Sequence, residues 1–158
     1  MRITDTTAHG YTLIEVMSTA MIAGLMLASA MPHFDSRRLG ILNAQRILIA
    51  NLRTARSNAI SKSMHYQVTF STQSQLQVAA MDETPAGSGV WQADTTKAQS
   101  IKLPTGTSVD SSLVGTSVEF NSRGIAVNVA ATLQVNAHDT YGQMKSLQVW
   151  PSGQINEL

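Results

Sequence analysis

The chain has 158 residues, no cysteine, 43% hydrophobic residues and a formal net charge of +1. This length suits one core and not two domains, and the missing cysteines exclude a disulfide-stapled scaffold. The charge is unevenly placed: residues 32–62 carry Arg37, Arg38, Arg46, Arg53, Arg56 and Lys62 against a single Asp35, whereas residues 65–158 hold four basic and seven acidic residues, a basic stalk below an acidic head.

Met1 to Gly10 is polar, with Arg2 and Asp5 as its charges. It lacks the basic region and apolar stretch of a secretory signal and reads as a short leader. From Tyr11 to Met31, 21 residues contain one charge, Glu15. As a helix they rise about 31 Å, enough to cross a bilayer core. A carboxylate within such a run costs about 2.5–3.5 kcal/mol at mid-bilayer, so Glu15 calls for a partner. Met17, Met21, Met26 and Met31 have no other polar ligand with them and read as packing surface.

Pro32, with Gly24 before it, predicts a kink over Ala28 to Pro32. Beyond it Ile41, Leu48, Leu52, Ala55 and Ala59 form a stripe on one helical face, widened by Leu42, Ile49 and Ile60. The pattern predicts a helix from Tyr11 to Lys62, about 78 Å long, whose second half lies on a core.

From Met64 the period changes to two. Tyr66, Val68 and Phe70 alternate with polar residues, as do Leu76 and Val78, and Ser71 to Ser74 between them predicts a hairpin. Asp82 to Gly89, with Pro85, Gly87 and Gly89, reads as a loop. Ile101–Leu103, Ser117–Phe120, Ile125–Val129, Thr132–Asn136, Ser146–Trp150 and Gln154–Ile155 are shorter strand candidates.

No catalytic constellation emerges. His9, His33, His65 and His138 have neither mutual helical spacing nor nearby Cys or paired acids, so no metal site is expected and they read as surface or boundary residues. Asp82-Glu83 is a loop pair, and Gly87-Ser88-Gly89 lacks the lysine and strand-to-helix setting of a phosphate loop. Trp91 and Trp150 read as core or core-edge residues, Gly124 and Gly153 as turn residues, and the arginine stripe of the stalk as a solvated face or a contact to acidic neighbours.

Gly10 followed by Tyr11-Thr12-Leu13-Ile14-Glu15-Val16 resembles the class III signal of type IV pilins and type II secretion pseudopilins. The resemblance implies cleavage between Gly10 and Tyr11 by the prepilin peptidase, N-methylation of Tyr11, and an assembly role for Glu15 as the fifth mature residue. Pro32 becomes the twenty-second, where many of these proteins also carry a proline. His9 departs from the Lys or Arg common before the Gly. Phe120-Asn121-Ser122-Arg123-Gly124-Ile125 and Leu147-Gln148-Val149-Trp150-Pro151-Ser152-Gly153-Gln154-Ile155 resemble the C-terminal half of the GspH/FimT group, and residues 82–115 stand outside that resemblance.

What the resemblance implies is an α+β pilin-like fold: a long N-terminal helix, membrane-spanning in its first half, packed on an antiparallel β-sheet head. The divisions would be a leader 1–10, a transmembrane and assembly segment 11–31, an amphipathic half 32–62 and a head 63–158. The implied role is a non-enzymatic minor pseudopilin, without cofactor, that initiates or tips the pseudopilus of a type II secretion system. Its partners would be the prepilin peptidase, other minor and major pilins or pseudopilins, and the inner membrane, with the head in the periplasm. The lack of a disulfide leans toward a minor subunit. The alternative is a minor pilin of a type IV pilus. DNA capture is disfavoured, because Gly153-Gln154-Ile155-Asn156-Glu157 lacks the two arginines of the Gly-Arg-x-Arg tail in DNA-binding relatives. A membrane-tethered enzyme has no site to support it.

Overall fold

The computed structural model describes residues 12–30 and 36–158, with side chains for 12–26 and 39–158. It divides into two units, residues 1–36 and 37–158. In the first unit α1 spans Leu13–Ala30. The second holds α2 (Ser36–Lys62) from Arg37 onward and the strands. Of the kink expected over Ala28 to Pro32, residues 28–30 are helical as the end of α1, while residues 31 and 32, like the continuity expected between the helices, lie outside the described residues.

α2 forms because its apolar positions recur at helical spacing and find a core. Ile41, Ala44, Leu48, Leu52, Ala55 and Ala59 are all buried, and three of the six are alanines that let the helix backbone approach the sheets closely. Ile49 is buried as expected, but Ile60 is 48% exposed. The helix stops at a Schellman turn. Ser63, at φ 53°, places its N–H on Ile60 O at 3.3 Å and that of Met64 on Ala59 O at 3.1 Å. Glycine adopts this left-handed conformation without the Cβ penalty. Ser63→Gly should therefore stabilise the head by roughly 0.5–1 kcal/mol, read as a rise in its thermal unfolding midpoint.

Nine strands follow, in two antiparallel sheets. In the first, β1 (His65–Thr72) lies between β2 (Gln75–Glu83) and β6 (Ser117–Phe120). The outer edge of β2 is shared by β3 (Trp91–Ala93), paired with Met81 to Glu83, and β4 (Gln99–Lys102), paired with Gln75 to Val78. The second sheet runs β5 (Thr107–Val109), β7 (Leu133–Asp139), β8 (Met144–Val149), β9 (Ile155–Glu157). Between β5 and β6 a short 3-10 helix spans Ser111–Leu113.

The expected β1–β2 hairpin is present, with a register irregularity between Phe70 and Thr72. Alternation decides the faces: Tyr66, Val68 and Phe70 point to the core, joined by Val118 and Phe120 of β6 and by Val135, Ala137, Leu147 and Val149 of the second sheet. One core thus sits among α2 and both sheets. Gln45 enters it from α2 and donates to Ser146 O at 3.0 Å, satisfying a buried carbonyl of β8.

Four sequence expectations are corrected. Asp82 and Glu83 are the end of β2 and not loop, because Gln92 and Trp91 pair with them. Residues Ile125–Val129 form no strand. Only Phe120 and Ala126 bridge, the N–H of Ala126 bonds Pro151 O, and the Asn128 side chain takes the ladder positions beside β6, accepting from Glu119 N and donating to Ser117 O. Trp150 falls just past β8 and is 42% exposed. Trp91 is half-buried away from the main core, stacked on His65 at 3.9 Å and 4°.

Candidate functional site

The first candidate is α1. Every described side chain from residue 12 to 26 is exposed. Leu13, Ile14, Val16, Met17, Met21, Ile22, Leu25 and Met26 range from 56% to 79%. Burying eight such side chains is worth roughly 1.5–3 kcal/mol each, on the order of 12–24 kcal/mol in all. Glu15 lies in the first turn of this helix, where a negative charge suits the helix dipole. Its backbone N–H bonds Thr12 O at 3.0 Å, and its carbonyl accepts the hydroxyls of Ser18 and Thr19 at 3.0 and 2.9 Å. Among the described residues no ion pair involves the Glu15 carboxylate. Gly10, Tyr11 and Pro32 lie outside the described residues.

Among the described residues no helix is long and apolar enough to cross a membrane. The 18 residues of α1 rise about 27 Å, short of a bilayer core of about 30 Å. The span expected from sequence also needs Tyr11 and Met31.

The second candidate is a junction at the C-terminal end of α2 where both sheets are tied to the helix. Asn121 to Gly124 and Trp150 to Gly153 are turns of one design. Each closes with the glycine N–H on the first residue's carbonyl at 2.8 Å, and each glycine is left-handed, at φ 75° and 79°. The turns are stacked so closely that a Cβ on Gly153 would lie 1.8 Å from Gly124 O. That same carbonyl accepts the Nε–H of Arg56 at 3.0 Å. Arg53 Nη2 reaches Ile155 O at 3.5 Å. Arg56 is therefore not part of a merely solvated face; it fastens the two turns to α2. The turn glycines were legible from sequence, but their stacking and the arginine bond were not, because the partners are 68 residues apart.

The histidines also find acids that spacing did not suggest. His65 Nδ1 lies 2.7 Å from Glu119 Oε1, and His138 Nε2 contacts Asp110 Oδ1. Asp110 also accepts from Asn136 Nδ2, whose Oδ1 in turn accepts the Ser146 hydroxyl. The Ser146 hydroxyl is thus a donor in a structural chain and has no base beside it. Among the described residues no group of three or more His, Asp or Glu is placed to hold a metal.

The 84–90 loop is held by charge-assisted bonds. Gly89 N–H, and after it Gly87 N–H, keep the Glu83 carboxyl below the usual carboxylate range. The Thr96 hydroxyl and then Lys97 hold Asp94 at about 2, and Asp94 in turn raises Lys97.

Among the described residues this geometry offers packing surfaces and no nucleophile with a base beside it. A family model described as "Type II transport protein GspH" matches residues 44–153. No curated protein matches the chain. Among solved structures, the type IV minor pilin FimU of Pseudomonas aeruginosa strain PAO1 is similar with a TM-score of 0.59 and 17% identity, over 78% of this chain and 91% of that one. The minor pseudopilin EpsH from the Type 2 Secretion System of Vibrio cholerae is similar with a TM-score of 0.53 and 12% identity, over 75% and 95%. At such identities these structures speak for the fold: a helix packed on antiparallel sheet, as in a minor pilin or pseudopilin. The family match covers well over half of the chain, from within α2 to the Gly153 turn, and the chain belongs to the GspH family of type II transport proteins.

Proposed function

We propose that this protein is a minor pseudopilin of a type II secretion system, a structural subunit that helps initiate or tip the pseudopilus. The observation that carries this reading is α1: a helix exposing eight large apolar side chains beside one acid that has no ion pair among the described residues has to be covered, first by lipid and then by other helices. In this reading residues 11–31 insert in the inner membrane with the head in the periplasm. The prepilin peptidase cuts between Gly10 and Tyr11 and methylates the new amino terminus. In the filament, Glu15 meets that amino group, its own or a neighbour's, so that both charges enter the apolar bundle as a pair. Pro32 loosens the helix between its membrane and head halves.

Processing tests this directly. Mass spectrometry of the purified subunit should find a mature chain starting at N-methylated Tyr11, and Gly10→Val should leave the precursor uncut in the membrane. A mature protein retaining Met1 would contradict the pseudopilin reading. A minor pilin of a type IV pilus would use the same helix and head, and the similarity to FimU keeps that second reading open; the subunits that crosslink to this one distinguish the two.

A further inference from the structure

We infer that the groove between α2 and β9 is a docking site for an acidic, partly apolar segment of a neighbouring filament subunit. The groove has a volume of about 570 Å³. Arg53, Arg56 and Ile60 line one wall, and Ile155 and Asn156 of β9 line the other. Arg53 and Arg56 are three apart on α2 and so point to one face. Each guanidinium has five N–H donors, and the structure gives each one bond, to a backbone carbonyl. Among the described residues no ion pair involves either arginine, and no acid lines the groove.

Two unneutralised guanidinium forks side by side match carboxylates, which they bind bidentately. Acids at alternate positions of an extended segment stand about 6.5–7 Å apart, close to the 5–6 Å between Cβ atoms three apart on a helix. Ile60, half exposed at the rim, gives an intervening apolar residue a surface. A second copy of this chain is a poor source of such a segment. Of its seven head acids, Glu83 is tied to Gly89 N–H, Asp94 to Thr96 and Lys97, Asp110 and Glu119 to histidines and Asp139 to the N–H groups of Tyr141 and Gln143, while Asp82 and Glu157 have no second acid two positions away to fill both forks. Nucleic acid is disfavoured as well, because backbone binding draws on several cations and this groove has two.

The inference takes its partner from the subunit reading, but the groove is tested without a filament. The full-length protein in detergent micelles is titrated with a labelled peptide of alternating Glu and Leu, with an alternating Gln and Leu peptide and with oligothymidylate. The acidic peptide should bind and the other two should not. Arg53→Glu should weaken it about tenfold, and Ser57→Glu, an exposed groove position whose change leaves the fold intact, should do the same. Unchanged affinity in Ser57→Glu overturns the proposal, as does tighter binding of oligothymidylate. So does self-association of the wild type that Arg53→Glu abolishes, which would make the occupant a second copy. Processing at Gly10 is unaffected by any of these outcomes and continues to report on the subunit reading alone.

Discussion

Gly153→Ala is expected to unfold the head or lower its stability by roughly 4 kcal/mol, near the top of the range for a single substitution. Two costs add. At φ 79° any L side chain pays the left-handed penalty of about 1–2 kcal/mol, and here the new methyl would also sit 1.8 Å from the Gly124 carbonyl oxygen. That oxygen is backbone and is already bonded to Arg56, so it cannot withdraw without releasing the turn from α2. Gly142→Ala is the control, with the same φ of 79° and nothing within 4 Å of the added carbon, and it should cost only about 1 kcal/mol. Gly124→Ala falls between them, since its closest neighbour at 2.7 Å is the side-chain end of Ile60, which is exposed and can turn aside. Thermal unfolding of the three variants should rank them in that order, with Gly153→Ala lowest. Equal midpoints for Gly153→Ala and Gly142→Ala would show that the stacking of the two turns contributes nothing.

The parts of this architecture that sequence made legible are those with a long period. The α2 stripe from Ile41 to Ala59 and the Tyr66, Val68, Phe70 alternation each face one core and nothing else, so burial follows the spacing. β3 and β5 were not legible because they are only three residues long, and β4 was read only in part, as Ile101–Leu103, because it lies largely exposed along one edge of β2 without an alternating face. Ile125 to Val129 has strand composition but spends its N–H groups on the Asn121 side chain, on Pro151 O in the turn after β8 and on Glu119 O of β6, so no ladder forms. Ile60 keeps the helical period but sits at the last turn of α2, where the core has ended and the Gly124 turn passes beneath it. The acids that pair with His65 and His138 lie 54 and 28 residues away, a distance at which spacing carries no information. For the proposed assembly segment the order is reversed: Gly10, Tyr11 and Glu15 stand out in the sequence as a motif, whereas α1 itself is an exposed apolar helix.

Glu15→Val separates assembly from anchoring, since both need an apolar helix but only assembly needs a paired charge within it. The substitution makes residues 11–31 more apolar, so membrane insertion should be at least as good as in the wild type. Cleavage after Gly10 should persist as well. Incorporation should fall, because the amino group of Tyr11 would enter the filament core without an anion, a defect of about 3–5 kcal/mol for a buried pair broken on one side. Glu15→Asp keeps the charge on a shorter arm and should recover part of the loss. The measurement is crosslinking of this subunit to its filament partners in cells, with total and processed protein quantified in the same samples. The account predicts normal abundance and processing for Glu15→Val with crosslinks reduced by more than tenfold, and crosslinks equal to the wild type at equal abundance would contradict it.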